Sequence, residues 1–303
     1  MEMMRVPRIM HNTSVKFCMT GQTVGFVPTM GALHEGHISL VRRSKQENDV
    51  TVVSIFVNPT QFGPSEDFER YPRDIEGDTE KLKKEEVDII FVPEISSIYP
   101  EGFLTNVKVK KISEKLCGAF RPGHFSGVAT VVTKLLNIVK PTRAYFGLKD
   151  FQQYVIIRKL VKDLNMEVEI VGCPIVREQD GLAMSSRNAY LDKSQREAAP
   201  VVNRCLTEAS ELIKSGIINV YYIKEFMHEK LLKEPAVSVI DYAGVYDPDT
   251  LDELSEIKGD TLIAVAVRIG ETRLIDNMLV ESRENPDPDS GNLKNKVSKK
   301  KEI

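Results

Sequence analysis

The chain has 303 residues, 42% of them hydrophobic and 28% charged, with a formal net charge of −3. That length suits one large core with a smaller companion domain, and no stretch reaches the roughly 18 uninterrupted apolar residues of a membrane span. A slightly acidic balance argues against a nucleic-acid binder, because phosphate-backbone affinity needs a basic face. The N-terminal MEMMRVPRIMHNTSVKF has no apolar run followed by small residues, so no secretory signal is expected. Cys18, Cys117, Cys173 and Cys205 are scattered without a CxxC pair; they read as thiols in a reducing compartment, and the cytoplasm is the expected location.

Val24 to Val27 is an apolar strand, and Pro28, which has no N–H to donate, is expected to end its pairing. Gly31 and Gly36 loosen the turn that follows, and Ile38, Leu40 and Val41 begin a helical pattern running from His37 to about Asn48. His37 then lies at a helix N-terminus, where phosphate is favoured, with His34 in the preceding turn. Neutral imidazole can hydrogen-bond a phosphate, and the protonated form can neutralise developing negative charge. A solvated surface pair and half of a zinc site are the alternatives; zinc is disfavoured because no further ligands stand at finger-like or HExxH spacing. GxGxxG is absent, which disfavours an NAD-type fold.

VTVVSIFV, residues 50 to 57, has the character of a central strand of a parallel sheet. It leads into Asn58-Pro59-Thr60-Gln61-Phe62-Gly63, a loop leaving a strand's carboxyl end, where open α/β sheets bind ligands. Asn58 either shapes the turn or meets a ligand; Gln61 carries donors and acceptors that suit a substrate with a hydroxyl and a carboxylate. Asp74 to Glu86 is a charged helix with a mostly solvated face, Asp88 to Val92 a strand stopped by Pro93, and Tyr99 to Leu116 irregular or short-stranded. The glycine-rich Cys117 to Gly127 carries Arg121 and His124, which either fasten the loop or touch a ligand. It precedes a helix whose buried stripe is Val128, Val131, Val132, Leu135, Leu136 and Val139.

Ala144-Tyr145-Phe146 is a short strand, and Gly147-Leu148-Lys149-Asp150 leads into a helix from Phe151 to Leu164. Lys149 is a point charge suited to phosphate oxygens at a helix start, Asp150 has an ordinary reading as N-cap, and Gln153 shares its face. Val168 to Val171 is a strand and Gly172-Cys173-Pro174 a hinge. Ser185-Ser186-Arg187 follows in a polar stretch. Ser194 to Ser215 and Val220 to Lys233 are amphipathic helices, and Val237 to Tyr246 and Thr261 to Val267 strands.

PTMGALHEGH, NPTQF, RPGHF, GLKDFQQ and MSSRN, in that order between about residues 20 and 280, together resemble the pantoate-beta-alanine ligases, members of the HxGH nucleotidyltransferase superfamily. Asp241-Tyr242 and Thr272 to Asn277 look like the same family's C-terminal segments. The resemblance implies an α/β chain: a Rossmann-like parallel-sheet nucleotidyltransferase domain (1–174) and a smaller α+β lid domain (175–281); beyond the family's motifs, 282–303 has no aromatic residue, a PDPDSG stretch and the run Lys299-Lys300-Lys301, and is expected to be a disordered tail. It implies ATP-dependent condensation of (R)-pantoate with beta-alanine through a pantoyl adenylate, with ATP as substrate, Mg²⁺, and a homodimer, and with neither nucleic acid nor membrane as partner. ATP would be held by Met30, Gly31, His34, His37, Gly147, Leu148, Lys149, Asp150, Val176, Met184, Ser185, Ser186 and Arg187. Of these, His34, His37 and Lys149 would be catalytic. Gln61, Gln153 and Asn58 would hold pantoate or beta-alanine. The metal ligands and the base for the amine stay unassigned. A sibling HxGH enzyme and a non-catalytic nucleotide-binding regulator are the competing readings.

Overall fold

A computed structural model describes residues 1–64 and 66–281. In chain order its first part contains β1 (Glu2–Met4), α1 (Pro7–Met19), β2 (Val24–Thr29), α2 (Glu35–Glu47), β3 (Val50–Ile55), α3 (Ile75–Lys84), β4 (Ile89–Phe91), α4 (Ile95–Ile98), α5 (Cys117–Phe120), α6 (His124–Val139), β5 (Arg143–Gly147), α7 (Phe151–Asp163) and β6 (Glu169–Cys173). The six strands form one parallel sheet in the order β1-β4-β3-β2-β5-β6. From β2 the chain moves outward through β3 and β4 on one side, then returns to place β5 and β6 on the other. The strand order therefore reverses between β2 and β5, and a crevice opens beyond their carboxyl ends, the usual ligand position in such sheets. All six residues of β3 are buried, as a central parallel strand requires.

Pro28 does not end β2. It pairs opposite Ser54, and the ladder continues because β2 bonds β3 through its odd-numbered residues, Thr23 and Thr29 accepting from the Val50 and Phe56 N–H groups (3.0 Å each), whereas the N–H that Pro28 lacks would face β5, whose pairing already ends at Phe26. Helix α2 also begins earlier than periodicity indicates. His34 is its N-cap and His37 its third residue, so the helix starts at Glu35 with both imidazoles inside its first turn. Where α2 packs on β2, Gly25 lets the two meet: a Cβ there would lie 2.1 Å from Ser44 Oγ and 2.5 Å from Asn48 Nδ2. The helix α3 is not simply a solvated face, since Asp78 and Leu82 have no solvent exposure. Asp150 occupies the N-cap position of α7 but makes no side-chain cap bond. The N-terminal β1 and α1, which periodicity did not single out, complete one edge and one face of the sheet.

Gly172 and Cys173 pair within β6 opposite Phe146 and Gly147, which places any flexible joint after them, at Pro174 and Ile175. Beyond it come α8 (Lys193–Ala198), α9 (Val201–Lys214), α10 (Val220–Leu232), β7 (Val237–Tyr246), β8 (Thr261–Ile269) and β9 (Thr272–Val280). The single helix expected over 194–215 is two, broken where Pro200 cannot continue the hydrogen-bond ladder. The three strands form an antiparallel sheet, β7-β8-β9, whose last member was not assigned as a strand from sequence. Its own core includes Leu206, Ile223, Met227, Val265 and Val267. A further cluster, Leu116 and Val155 against Tyr246, Leu251, Leu262 and Ala264, joins the small sheet to the large one. The tail expected to be disordered, 282–303, lies outside the described residues.

Gly25→Ala should overpack the α2–β2 contact and cost about 1–3 kcal/mol. Thermal unfolding of the variant is expected to show a midpoint several degrees lower, with no new transition.

Candidate active site

The turn between β2 and α2 is shaped from beneath. The Asp78 carboxylate accepts the N–H groups of Ala32 (2.7 Å) and Leu33 (2.8 Å), with Lys81 Nζ at 3.6 Å. Gly31 and Ala32 both have positive φ, +82° and +50°, a conformation that disfavours a side chain at Ala32 and needs such support. His34 Nδ1 then accepts the Gly36 N–H (3.1 Å), and His37 Nδ1 accepts the His34 N–H (3.4 Å). This is a capping box made of two histidines, with ring centroids 4.1 Å apart. Because each Nδ1 is an acceptor, the proton of each neutral ring sits on Nε2. Burial, then the Lys149 charge, lowers the pKa of His34 to about 4. Burial, then His34, lowers that of His37 to about 3. At neutral pH the pair presents two N–H donors rather than two cations.

Beyond β3, Asn58 is buried and its amide is used internally: it donates to Gln61 Oε1 (3.1 Å) and the Gly127 carbonyl (3.2 Å) and accepts from Tyr99 Oη (2.8 Å). It also caps the short turn Pro59–Gln61. Of its two readings, the turn-shaping one describes its contacts. Gln61 is thereby held with its Nε2 3.0 Å from Met30 Sδ, at the cleft wall. His124 donates from Nδ1 to the Gln61 carbonyl (2.8 Å) while Arg121 Nη1 donates to its Nε2 (3.0 Å). Burial, then Arg121, brings the His124 pKa down to about 4. Arg121 is in turn held by both oxygens of Glu66, each at 2.6 Å. Arg121 and His124 therefore fasten their loop and still face the cleft.

Beyond β5, Lys149 stands at the turn into α7, 3.9 Å from Asp150. Gln152 is structural: it bonds the Cys117 N–H and the carbonyls of Ile112 and Lys115, leaving Gln153 to face the cleft. Residues 176–184 form a hairpin, with Met184 N–H on the Val176 carbonyl (3.0 Å) and Glu178 N–H on the Leu182 carbonyl (2.8 Å). It delivers Ser185 to Arg187 across the opening of the cleft. Ser186 Oγ donates to the Ala32 carbonyl (3.1 Å), and Arg187 makes a two-point pair with Asp67 (3.0 and 2.9 Å). Burial opposes the Arg187 charge, but the Asp67 bonds outweigh it and raise its pKa; the same pair lowers that of Asp67 against its own burial.

These groups line two cavities of about 230 and 640 Å³ that share Arg121, His124, Lys149, Asp150, Gln153, Ser185 and Arg187, so they are arms of one cleft. Of the residues expected at the site, the smaller arm gathers all but Gly31 and Leu148. Gly31 serves the turn above Asp78, and Leu148 enters through its carbonyl, which accepts from the Asn277 amide (3.0 Å). Several contributors had no individual role on sequence grounds: Asp78, Glu66, Asp67, Arg177, Asp276 and Asn277. The apolar wall of the smaller arm, Phe56, Val128, Val131, Val132, Leu135 and Phe146, overlaps the buried stripe of α6.

A family profile for pantoate-beta-alanine ligase matches residues 2–279. The chain belongs to the pantoate-beta-alanine ligase family. It is 57% identical to the pantothenate synthetase of Thermodesulfovibrio yellowstonii over 281 residues, covering 93% of this chain and all of that protein. It is equally 57% identical, over 274 residues, to that of Caldicellulosiruptor bescii, covering 90% and 97%. Among solved structures, pantothenate synthetase from Thermus thermophilus superposes with a TM-score of 0.89 at 45% identity, covering 93% of this chain and all of that one. Pantoate-beta-alanine ligase from Francisella tularensis, in complex with beta-gamma ATP and beta-alanine, gives 0.75 at 37%, covering 93% and 98%. The protein is thus a ligase that forms a carbon–nitrogen bond, and the sibling-enzyme and non-catalytic readings fall away.

The partly buried histidines carry a pH signature. In the unfolded chain each takes up its proton near pH 6.5, whereas the native pKa values of His34, His37 and His124 lie at about 4, 3 and 4. The unfolded state therefore binds more protons throughout the interval, and stability must fall as pH drops from about 6.5 toward 4. For His37 the slope approaches about 1.4 kcal/mol per pH unit between those two values. Urea midpoints measured from pH 7.5 to 4.5 should decline over that range, and less steeply in His124→Gln.

Proposed function

We propose that the cleft activates pantoate at the junction of its two arms and that each expected residue has a role there. The first step is attack of the pantoate carboxylate oxygen on the α-phosphorus of ATP; the new P–O bond forms as the bond to pyrophosphate breaks, giving pantoyl adenylate. This needs no protein nucleophile, only alignment and charge stabilisation. The smaller arm suits pantoate because it pairs an apolar wall, from Phe56 and the α6 stripe, for the gem-dimethyl group with the amides of Gln61 and Gln153 for hydroxyl and carboxylate. Asn58 positions Gln61 rather than meeting substrate. Met30, Gly147, Val176 and Met184 form the walls around the nucleotide.

The Nε2–H groups of His34 and His37 donate to phosphate oxygens at the start of α2, and Lys149 supplies a full positive charge from the start of α7. Ser185, Ser186 and Arg187 hold the departing phosphates, for which Arg187 must exchange Asp67 for phosphate oxygen. In the second step the free-amine form of beta-alanine attacks the acyl carbon; the C–N bond forms as the C–O bond breaks, AMP leaves with the electrons of that bond, and the proton lost by nitrogen passes to water, no side chain being assigned as its base. Among the described residues no three His, Cys, Asp or Glu side chains gather to cage a metal ion. Mg²⁺ would arrive with the triphosphate and would offset phosphate charge, with no side chain assigned as its ligand.

The same reading divides the chain near 174/175, with the second part acting as a lid that carries the MSSRN loop over the nucleotide. Support comes from the separate cores of the two sheets and from the Ser186–Ala32 and Arg187–Asp67 contacts between them. We propose a homodimer on the family resemblance and a cytoplasmic location on the four scattered free cysteines, which suit a reducing compartment.

The observation that carries this proposal is the convergence of two helix starts, two Nε2–H donors and Lys149 at the reversal point of the sheet. Isotope exchange between pyrophosphate and ATP should require pantoate and proceed without beta-alanine. His37→Ala and Lys149→Ala should each lower it by about 10²–10³-fold while circular dichroism stays unchanged. Near-normal single-turnover adenylate formation in both variants would refute the assignment.

A further inference from the structure

The two elements proposed to hold the triphosphate, the Lys149 turn and the Ser185–Arg187 loop, lie in different parts of the chain and share no direct bond. Both are gripped by one dipeptide of the small sheet. Asp276 and Asn277 sit mid-strand in β9, opposite Val265 and Ala264, and both are buried. Successive strand residues face opposite ways, so the pair reaches in two directions at once.

Asp276 turns toward the hairpin. Its two oxygens accept from Arg177 Nη1 (2.6 Å) and Nη2 (3.0 Å), and one also accepts the Asn277 N–H (2.8 Å). Arg177 Nη1 spans the hairpin to the Gly181 carbonyl (3.1 Å), so the ion pair fixes the base from which Ser185 emerges. Asn277 turns the other way. Its Nδ2 donates to the carbonyls of Leu148 (3.0 Å) and Lys149 (2.9 Å), using both amide protons on the turn that projects Lys149.

We propose that Asp276 and Asn277 are positioning residues for adenylate formation: they set the separation between Lys149 and the MSSRN loop so that both engage one triphosphate. This rests on the roles given to those two elements above. Placement is the expensive part of such chemistry, since an error of about 1 Å can cost about 10²-fold in rate. The pair is built for placement, because the Asp276 carboxylate and both Asn277 amide protons are already committed to protein groups on either side.

The test uses Asn277→Asp, isosteric but without the two donors, and Asp276→Asn, which removes the charge facing Arg177. Pantoate-dependent pyrophosphate–ATP exchange is measured for each, with thermal midpoints alongside. Positioning predicts kcat lowered about 10–100-fold and a raised KM for ATP, with the KM for pantoate within about twofold of the unaltered enzyme. It also predicts that Asn277→Asp adds little to Lys149→Ala, since the donors act through that turn. A lowered thermal midpoint with normal kcat and ATP KM in either folded variant would show a purely structural role and overturn the proposal, as would full additivity with Lys149→Ala. Absence of pantoate-dependent exchange in the unaltered enzyme would instead overturn the reading of the site itself.

Discussion

Asp78 reaches the β2–α2 turn from a helix 45 residues further along the chain, and its carboxylate meets two backbone N–H groups with no solvent between them. A buried carboxylate is tolerable only when its lone pairs are engaged, and a buried N–H only when it donates. Each side of this contact is therefore the condition for the other. The turn it stabilises runs through positive φ at Gly31 and Ala32, which the chain would not hold unaided. Everything after the turn inherits that geometry: where α2 starts, how the two histidines cap it, and where their Nε2 atoms point.

The charge arrangement follows from the same burial. His34, His37 and His124 are kept neutral, each with a tautomer set by a backbone or side-chain partner: His34 and His37 carry their proton on Nε2, while His124 donates from Nδ1 to the Gln61 carbonyl. In the proposed mechanism, net positive charge toward a phosphate would come from Lys149 and from the arginines. Arg121 and Arg187 are meanwhile satisfied by Glu66 and Asp67, neighbours on one loop. An anionic substrate reaching Arg187 would replace one carboxylate with another acceptor rather than desolvate a free cation, which lowers the cost of taking the guanidinium out of water.

Much of this was legible in the sequence where function and local chemistry coincide. HEGH, NPTQF, GLKDFQQ and MSSRN each combine a turn with groups that suit a phosphate or a carboxylate, and the strand-glycine-helix pattern at Lys149 repeats that of His34 and His37. The parallel sheet followed from VTVVSIFV and its neighbours. What escaped are contacts whose partners lie far apart in sequence. Nothing in IEGDTEKLKK distinguishes Asp78 from its solvated acidic neighbours, because its distinction is a backbone 45 residues away. Asp276 and Asn277 were visible only as part of a segment resembling the family's C-terminal motif, and their partners are 99 and 128 or 129 residues distant. Pro28 misled for a related reason: its missing N–H is real, but that position faces β5, whose pairing ends at Phe26, so the ladder to β3 is untouched.

The two sheets divide the work along that line. The large parallel sheet places each reactive group locally, through a turn, a cap and a helix start encoded within a few residues. The small sheet supplies what local sequence cannot, a fixed distance between groups that belong to different segments. An apolar interface could hold the two bodies together equally well, and the Leu116–Val155–Tyr246 cluster does so at their margin. It would not define spacing at the scale that phosphoryl chemistry needs, because apolar packing is non-directional. Directional bonds to backbone carbonyls and a two-point ion pair constrain both distance and orientation. That is a physical reason for polar residues at the buried centre of β9, where packing alone would favour valine or leucine.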